Sequence, residues 1–385
     1  MVKLLIGGSP CTHWSIARSA GREVSAEGIG WELFRNYLYA KEKFAPDFFL
    51  YENNKSASPA IKCQIATELE TPLQYINSAL VSGQNRQRFY CHNFGDVPQP
   101  LDRGILLCDI LETSNEGNGK TYSLLADSRK PFKPVCVAQR GRQYNNDSRY
   151  VQSFEVRLDG KTNTLTTVAK DNLVAEPVRI GTIVNSACNP NFDSKQYRVY
   201  SPFGKSTTLC GQGGGLGAKT GLYACPTNKL DTKSHIYEVR NGCTSQEGII
   251  SKINLPDGQY IIRKLTVTEV ARLQTMPDDY CRAVSDSQAY KGLGNGWTAE
   301  IIIHLLSHAL RNLPKDEKII VFSMYDGIGT GRYCLDKLGF TNIDYFAFEI
   351  DKYAIKIAQS NYPDIIQCGD AFQVRNSDWK APPIR

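Results

Sequence analysis

Five residues with reactive side chains each follow a short apolar run. A thiol, Cys11, comes soon after VKLLIGG, and a carboxyl, Glu52, follows FFLY. Further carboxyls, Asp326, Glu349 and Asp370, follow IIVFSMY, DYFAF and IIQCG. Open α/β sheets bind their ligands beyond the carboxyl ends of the strands. If the runs are strands of one such sheet, we expect this thiol and these carboxyls to meet at one edge.

Cys11 stands on a constrained turn, where it could act as a nucleophile. The preceding GGSP lets the chain bend at its glycines and stiffens it at Pro10. A cysteine on such a turn, beside a helix start, can become a reactive thiolate. A buried structural cysteine is the alternative. If partly buried, Glu52 could donate a proton or a hydrogen bond to a substrate; the alternative is a salt-bridged surface acid.

The acids near the end of the chain fit a nucleoside ligand. DGIGTG, residues 326–331, is a glycine-rich turn before a helix, as found in NAD or FAD sites and also in plain turns. Glu349 is spaced to accept hydrogen bonds from ribose hydroxyls, and Asp370 could meet an adenine amino group. Asp326 would repel a pyrophosphate. The turn therefore favours a nucleoside cofactor without phosphates, such as S-adenosylmethionine, over a dinucleotide.

Two arginines in QNRQRFY form a candidate anion or base site. Alternation along a strand would put Gln84, Arg86 and Arg88 on one face, where paired guanidiniums suit a phosphate or a base oxygen. An edge strand that carries charges to block pairing is the alternative. His304 and His308 have a spacing that could hold a metal, but no third ligand follows, so we expect a packed helix and no metal site.

The elements that must position these residues form an α/β pattern. Continuous apolar runs separated by helix-like stretches, such as those after Gly30 and over Lys352–Asn361, predict buried parallel strands joined by helices. The middle, from about Pro98 to Ile262, is rich in Gly, Asn, Thr, Ser and Tyr, with short alternating stretches. It predicts a second, mostly β domain inserted into the α/β domain.

The composition is that of a folded chain of about two domains. It has 385 residues, 41% hydrophobic and 22% charged, and a formal net charge of +6. That charge permits a nucleic-acid partner without requiring one. No apolar run approaches the ~20 residues of a transmembrane helix, and the start does not read as a signal peptide. The 12 cysteines show no zinc spacing, so we expect reduced thiols in a cytoplasm.

Together these segments resemble the cytosine-C5 DNA methyltransferases. The resemblance is carried by GGSPCTHWS at the nucleophile, YENN, QNRQRFY, the stretch RKLTVTEVARLQTMPDDY, LGNGWTAEII, and the cofactor motifs FSMYDGIGTG, FEIDKYA and CGDA. Asn54 departs from the usual valine of the family, and Gly296-Trp297 departs from the usual Ser-Val. Neither departure removes a group that the reaction needs.

The order of the motifs differs from the usual order of the family. The cofactor motifs come first in most members, whereas here the chain starts at the nucleophile strand and reaches them last. We interpret this as a circular permutation, with the link LPKDEK, residues 313–318, joining the usual last motif to the usual first.

The resemblance implies a Rossmann-like S-adenosylmethionine-dependent methyltransferase domain with an inserted, mostly β target-recognition domain. Residues 1–100 and 285–385 would form the catalytic domain, and residues 101–284 the recognition domain. The enzyme would act on double-stranded DNA as a monomer, with no membrane and no metal. It would be encoded by a bacterium or a phage and work in the cytoplasm, with restriction-modification as its setting.

The implied reaction methylates C5 of a flipped-out cytosine within a specific duplex sequence, through a covalent bond between Cys11 and C6. Glu52 would act on N3, with Arg86 and Arg88 holding the base. A loop over Ser15–Gly30 would close on the base, and Arg18 or Arg22 would touch phosphates. The residues implied for S-adenosyl-L-methionine are Pro10, Asn295, Trp297, Tyr325, Asp326, Gly327, Ile328, Gly329, Thr330, Glu349, Ile350, Asp370 and Ala371.

Three alternatives remain at this point. The first is an RNA cytosine-C5 methyltransferase of the same fold, such as one acting on tRNA. The large insert favours DNA, because an RNA enzyme needs no such reader of the major groove. The second is a non-catalytic DNA-binding relative, which the presence of Cys11, Glu52 and both arginines argues against. The third is a Rossmann oxidoreductase, which Asp326 disfavours.

Overall fold

The structure is a computed structural model. It describes residues 1–15, 21–112 and 265–379 without a break. Between 113 and 264 it describes 136–144, 150–157, 173–174, 179–182, 198–200, 205–209, 222–226, 236–241, 243–246, 249–252 and 257–263.

The described strands number 17. In chain order they are β1 (Val2–Gly7), β2 (Phe48–Asn54), β3 (Gln74–Asn77), β4 (Gln87–His92), β5 (Cys136–Tyr144), β6 (Tyr150–Arg157), β7 (Leu173–Val174), β8 (Arg179–Thr182), β9 (Arg198–Tyr200), β10 (Leu222–Pro226), β11 (Ile236–Arg240), β12 (Cys243–Gln246), β13 (Ile249–Lys252), β14 (Gly258–Arg263), β15 (Ile319–Met324), β16 (Ile343–Phe348) and β17 (Ile366–Gln367).

The described α-helices are α1 (Gly28–Phe44), α2 (Pro59–Leu69), α3 (Val267–Leu273), α4 (Asp286–Asn295), α5 (Ala299–Ala309), α6 (Thr330–Lys337) and α7 (Lys352–Asn361). Local signals account for several starts. Ser58 accepts a hydrogen bond from Ile61 N at the start of α2, with Pro59 in the first turn, and Asp351 accepts one from Tyr353 N at the start of α7.

Strands from both ends of the chain build one sheet, in the order β17-β16-β15-β1-β2-β4-β3. The strand β1 lies in its middle, parallel to β15 on one side and to β2 on the other. The strands β16 and β17 continue in parallel, whereas β4 runs antiparallel to β2 and β3. The predicted parallel strands, and the predicted helix over Lys352–Asn361, are thereby confirmed.

Hydrophobic cores cover both faces of this sheet. Leu4 and Ile6 belong to the core that includes α4 to α7, while Leu5 between them belongs to the core that includes α1 and α2. Side chains alternate between the faces of a strand, so both sets must be apolar. This is the physical reason for the unbroken apolar runs in the sequence.

Further strands come from the middle of the chain and form separate sheets. One has the order β13-β12-β11-β14-β10-β9-β8 and is mainly antiparallel, and the other has the order β6-β5-β7. A short segment, Lys205–Leu209, contacts the residues between β3 and β4. Ser206 forms an isolated β-bridge with Gln84, and Lys205 Nζ donates to the carbonyls of Ala79 and Ser82.

In the part of the chain that the structure describes, no helix is long and apolar enough to cross a membrane. The same described residues hold no cluster of three or more His, Cys, Asp or Glu arranged for a metal ion. His304 and His308 lie on α5 and bond to the carbonyls of Pro98 and His304 respectively.

Candidate active site

The order of the parallel strands changes sense between β15 and β1. From β15 the chain winds outward through β16 to β17, and from β1 it winds outward the other way through β2. Such a switch point opens a crevice at the carboxyl ends of the strands. Cys11, Asp326, Glu349 and Asp370 follow the ends of four of these parallel strands, and Glu52 lies near the end of β2. The predicted convergence on one edge follows from this topology.

A buried polar network fixes the turn that carries Cys11. Ser9 Oγ lies 2.7 Å from Tyr51 Oη, and Asn53 Nδ2 donates to Ser9 O at 3.0 Å. Asn54 Nδ2 donates to Cys11 O at 3.4 Å, so this asparagine bonds the backbone of Cys11. Cys11 begins a short 3-10 helix and is half-buried, which leaves its thiol partly accessible.

The Glu52 carboxylate is held by a donor on each oxygen. Arg88 Nε lies 2.9 Å from Oε1, and Trp297 Nε1 donates to Oε2 at 2.9 Å. The side chain is nearly buried, at 9% exposure for the residue. Gly8 permits this packing, because a Cβ there would lie 2.7 Å from the carbonyl oxygen of Glu52. The sequence predicts Trp297 as a cofactor residue. No motif in the sequence indicates its bond to Glu52.

Arg86 bonds backbone carbonyls in a buried junction, whereas Arg88 bonds the Glu52 carboxyl. Its guanidinium donates to the carbonyls of Leu209 (3.3 Å), Gly294 (3.2 Å) and Gly296 (2.9 Å). Burial lowers the pKa of Arg86 to about 10, with Arg88 acting in the same direction, so the group stays charged near neutral pH. The prediction that Gln84, Arg86 and Arg88 share one face of a strand is wrong. The strand β4 begins only at Gln87, so Gln84 and Arg86 precede it.

Asp326 is a half-buried acid with one oxygen that is shielded from solvent and unused. Ser323 Oγ and Tyr345 Oη donate to Oδ1 at 2.7 and 2.6 Å, while Oδ2 has no hydrogen-bond partner. Burial raises the pKa of Asp326 to about 6, and the nearby Glu349 acts in the same direction. An unpartnered buried carboxylate oxygen needs a donor, so this position suits a cationic or hydrogen-bonding group of a ligand.

The other two acids are held by backbone N–H groups. Glu349 Oε2 accepts from Gly327 N at 2.9 Å, and Oε1 accepts from Ile350 N and Asp351 N at 2.8 Å. Asp370 Oδ1 accepts from Phe372 N at 2.9 Å. A carboxylate has about four acceptor positions, so both acids keep capacity for a ligand. The glycine-rich turn and the acid after β16 are thus joined directly.

The remaining predicted cofactor residues divide by exposure. The side chains of Ile328, Thr330 and Ala371 are buried, so only their backbone atoms can face a ligand. Ile350 is 73% exposed, which is unusual for isoleucine and leaves an apolar surface beside Glu349. Asn295 is also exposed, at the end of α4. These residues thus offer backbone atoms, one exposed amide and one exposed apolar side chain.

Tyr325 takes a left-handed backbone conformation, with φ of 59°, just before the glycine-rich turn. Its hydroxyl donates to Leu33 O at 2.7 Å and accepts from Asn36 Nδ2 at 2.9 Å. A bulky residue in this conformation is strained and persists only where the surroundings hold it. The Tyr325 hydroxyl is bound to α1, so the contact predicted between Tyr325 and the cofactor would have to come from its backbone.

Of the predicted DNA contacts in the loop after Cys11, the structure describes only Arg22. Its guanidinium donates to Trp14 O at 3.0 Å and to Ser56 O. Those bonds tie the base of the loop to the end of β2. Arg18 lies outside the described residues.

Comparison with known proteins agrees with this geometry. The profile of the C-5 cytosine-specific DNA methylase family matches residues 1–310. The chain is 24% identical over 362 residues to the orphan methyltransferase M.SPRI of Bacillus phage SPR, covering 78% of this chain and 80% of that protein.

Two other relatives match shorter regions. The type II methyltransferase M1.ScrFI of Lactococcus lactis subsp. cremoris is 32% identical over 99 residues, 24% of this chain and 25% of that protein. The orphan methyltransferase M.Rho11sI of Bacillus phage rho11s is 25% identical over 256 residues, 60% of this chain and 50% of that protein. The family excludes an oxidoreductase and favours DNA over RNA as substrate. The chain therefore belongs to the C-5 cytosine-specific DNA methylases and is an enzyme that methylates cytosine in DNA at C5.

Proposed function

We propose that Cys11 is the nucleophile of this methyl transfer and Glu52 its partner at the base. The observation that carries the proposal is their setting: Cys11 begins a helix on a turn held by bonds to β2, and the buried, oriented Glu52 lies on that strand. The Cys11 thiolate forms a bond from Sγ to C6 of cytosine, which places electron density on C5. The pair of residues makes a weakly nucleophilic ring carbon reactive.

Glu52 acts at N3 of the cytosine. In its protonated form the Glu52 carboxyl donates a hydrogen bond to N3 and so stabilises the negative charge that develops on the ring when Cys11 adds. Arg88 orients the carboxyl through Oε1 at 2.9 Å. After the methyl group is in place, loss of the C5 proton and release of the Cys11 thiolate restore the aromatic ring and free the enzyme. The target atom is inaccessible in stacked DNA, so the base must leave the helix, at a cost of a few kcal/mol.

The acids at the other end of the crevice fit S-adenosyl-L-methionine, which supplies the methyl group when bound. The unpartnered Asp326 Oδ2 suits its ammonium group, and Glu349 has acceptor capacity for the ribose hydroxyls. Asp370 suits the adenine amino group, and the exposed Ile350 offers an apolar face to the ring. Backbone atoms of Pro10, Gly327, Ile328, Gly329, Thr330 and Ala371, with Asn295 and Tyr325, would shape the cleft.

The middle of the chain is proposed as the domain that reads the DNA sequence. Its described strands form sheets separate from the catalytic sheet. Lys205–Leu209 connects these residues to the segment that carries Arg86, so the reader and the site share a junction. We propose a monomer that methylates one cytosine within a specific duplex sequence. The names of the relatives point to modification of phage or bacterial DNA, as an orphan enzyme or beside a restriction enzyme.

Circular permutation is part of the proposal. The family match ends at residue 310, before β15, although β15 to β17 lie in the same sheet as β1. The cofactor motifs therefore follow the matched region instead of opening it. The central position of β1 beside β15 explains why this order is tolerated: the sheet can be assembled from either end of the chain.

The proposal is tested by Cys11→Ala with labelled S-adenosyl-L-methionine. We expect loss of methyl transfer to duplex DNA and unchanged binding of the cofactor by calorimetry, because the Cys11 thiol bonds the base and is not among the groups proposed to hold the cofactor. Cys63→Ala, at an exposed cysteine of α2, is the matched control and should remain active.

Bisulfite sequencing of DNA from cells that express the chain gives the methylated base and its sequence context. Labelled tRNA is the comparison substrate. Full activity of Cys11→Ala would refute the nucleophile, and methylation of tRNA in preference to DNA would refute the substrate.

A further inference from the structure

The two donors on Glu52 differ in chemistry and in origin. Arg88 brings a charged guanidinium from β4, whereas Trp297 brings a neutral indole N–H from the junction between α4 and α5. An indole N–H can only donate. Its bond to Oε2 therefore requires a lone pair of the Glu52 carboxyl and cannot be replaced by a bond in the opposite sense.

One donor on each oxygen fixes the plane of the carboxyl group. The last torsion of a glutamate side chain is broad and roughly two-fold, so a carboxyl with one partner can rotate. With Arg88 at Oε1 and Trp297 at Oε2, each at 2.9 Å, rotation breaks a bond. The plane of the carboxyl is then fixed, so the O–H of its protonated form keeps one direction, which is the condition for a hydrogen bond to N3 of defined geometry.

The backbone that carries Trp297 is itself braced. Gly296 O accepts from Arg86 at 2.9 Å and from Gln274 Nε2 at 3.2 Å. The next residue, Thr298, donates from Oγ1 to Gln274 Oε1 at 2.9 Å. Arg86 therefore reaches Glu52 indirectly, through the peptide that precedes Trp297. The two arginines of the QNRQRFY segment support the same carboxyl by separate routes.

We infer that Trp297 is a positioning residue, which orients the Glu52 carboxyl toward the target cytosine, and that Arg86 acts through Trp297. The inference rests on the proposed role of Glu52 at N3. It gives Trp297 a task in the chemical step that a contact with the cofactor does not require, and it gives the buried Arg86 a task without contact with the base.

The first test is Trp297→Phe, which keeps an aromatic ring and removes the N–H. Hydrogen bonds to charged groups are worth enough that we expect the single-turnover rate of methyl transfer to fall about 10-fold or more. Affinity for S-adenosyl-L-methionine, measured by calorimetry, should stay within about 2-fold, as for sites that do not interact. Trp31→Phe is the control: its ring packs on Phe34 in α1, outside the site, and its rate should be that of the wild type.

The second test repeats Trp297→Phe in a Glu52→Gln background. If Trp297 acts through Glu52, the substitution should change the residual rate of Glu52→Gln by less than about 2-fold, because the interacting carboxyl is already gone. An equal loss of rate in both backgrounds would overturn the inference. So would a loss of cofactor affinity with an unchanged single-turnover rate, which would make Trp297 a cofactor residue.

A third measurement needs no activity. The chain has 4 tryptophans, so the indole N–H signals of the full-length protein labelled with ¹⁵N-tryptophan can be assigned by Trp297→Phe. Glu52→Gln should shift the Trp297 signal, and an unshifted signal would refute the bond. An inactive wild type, or an active Cys11→Ala, would instead contradict the proposed function and leave this measurement standing.

Discussion

At the scale of single residues, the three acids of the cofactor end are used differently. Glu349 and Asp370 accept hydrogen bonds from backbone N–H groups, which hold their carboxyls in place. Asp326 is half-buried, with two hydroxyl donors on one oxygen and none on the other. Its pKa of about 6 marks a carboxyl whose charge the free protein supports poorly. A cationic ligand group beside Asp326 would stabilise its negative charge and so offset the cost of burying it.

The raised pKa of Asp326 predicts a pH dependence of stability. The pKa is 3.8 in the ordinary case and about 6 in the folded protein, so ionisation opposes folding. The penalty is absent well below pH 3.8, grows between these values and is complete above pH 6. A rise of this size corresponds to about 3 kcal/mol. Asp326→Asn cannot ionise. Its free energy of unfolding should therefore gain about 2 to 3 kcal/mol relative to the wild type between pH 4 and pH 7.

Urea unfolding of both proteins at several pH values measures this difference. Any fixed effect of the amide, such as an unpaired N–H, is the same at each pH and cancels in the comparison. A difference between the two proteins that stays constant from pH 4 to pH 7 would contradict the assignment of a buried, ionisable Asp326.

At the scale of elements, α6 shows how packing positions the cofactor turn. Gly331 in its first turn lies so close to the sheet that a Cβ would overlap Ile6 Cδ1 and lie 2.5 Å from Tyr345 Oη. That same hydroxyl donates to Asp326. The glycine therefore sets both the distance between helix and sheet and the position of the group that holds the acid.

Gly331→Ala should lower stability and cofactor affinity together. Overpacking of this kind costs about 1 to 3 kcal/mol, and displacement of Tyr345 removes a hydrogen bond from Asp326. Thermal unfolding and calorimetry with S-adenosyl-L-methionine measure the two effects. Gly339→Ala is the control: its φ is 82° and its Cβ position is open, so it should lose about 1 to 2 kcal/mol of stability and keep its affinity. Unchanged affinity in Gly331→Ala would show that α6 does not act through Tyr345.

The helix α1 connects the two ends of the crevice. It follows the loop after Cys11, and its buried Asn36 bonds Tyr325 in the cofactor turn. Arg375, beyond Asp370, donates to Asn36 Oδ1 and to Glu32. A single element thus follows the segment that begins at Cys11 and bonds the segments that flank Asp326 and Asp370. The strained backbone of Tyr325 is held by this helix rather than by its own turn.

At the scale of the whole molecule, the large sheet can be built by a chain that starts at any of several strands, as long as each strand keeps its neighbours. The strands β1 and β15 are paired along their whole length, yet they lie more than 300 residues apart in the sequence. The link between α5 and β15, residues 310–318, is largely exposed. Exposed links of this kind tolerate new chain ends.

A rearranged chain tests the proposed permutation. It starts at Lys318, ends at Glu317, and joins Arg385 to Met1 through a Gly/Ser linker of about 10 residues, which spans about 17 Å on average. We expect it to fold and to methylate the same DNA sequence, because every strand keeps its neighbours. A chain opened between Asp326 and Gly327 is the control; it breaks the turn that bonds Glu349 and should lose cofactor binding. Failure of the first chain to fold would contradict the proposed equivalence of the two orders.

The sequence by itself determined the five parallel strands and the acids and thiol near their ends. Burial on both faces of the sheet leaves a continuous apolar run, and a turn residue or acid after the run is a local signal. The family resemblance, confirmed by the profile match, depends on such local motifs. Each motif is recognised by itself, so the resemblance does not depend on the order in which the motifs occur.

The tertiary structure alone decided which side chains support which. The bond from Trp297 to Glu52 joins residues 245 positions apart, and Arg86 bonds carbonyls more than 120 positions away. No local pattern encodes such pairs, because they arise when the loops between elements pack together. For the same reason, the alternation that predicts one strand face for Gln84, Arg86 and Arg88 is wrong. Gln84 pairs with Ser206 in an isolated β-bridge, and β4 begins only at Gln87. Periodicity describes a regular strand, and this site is built where regular structure ends.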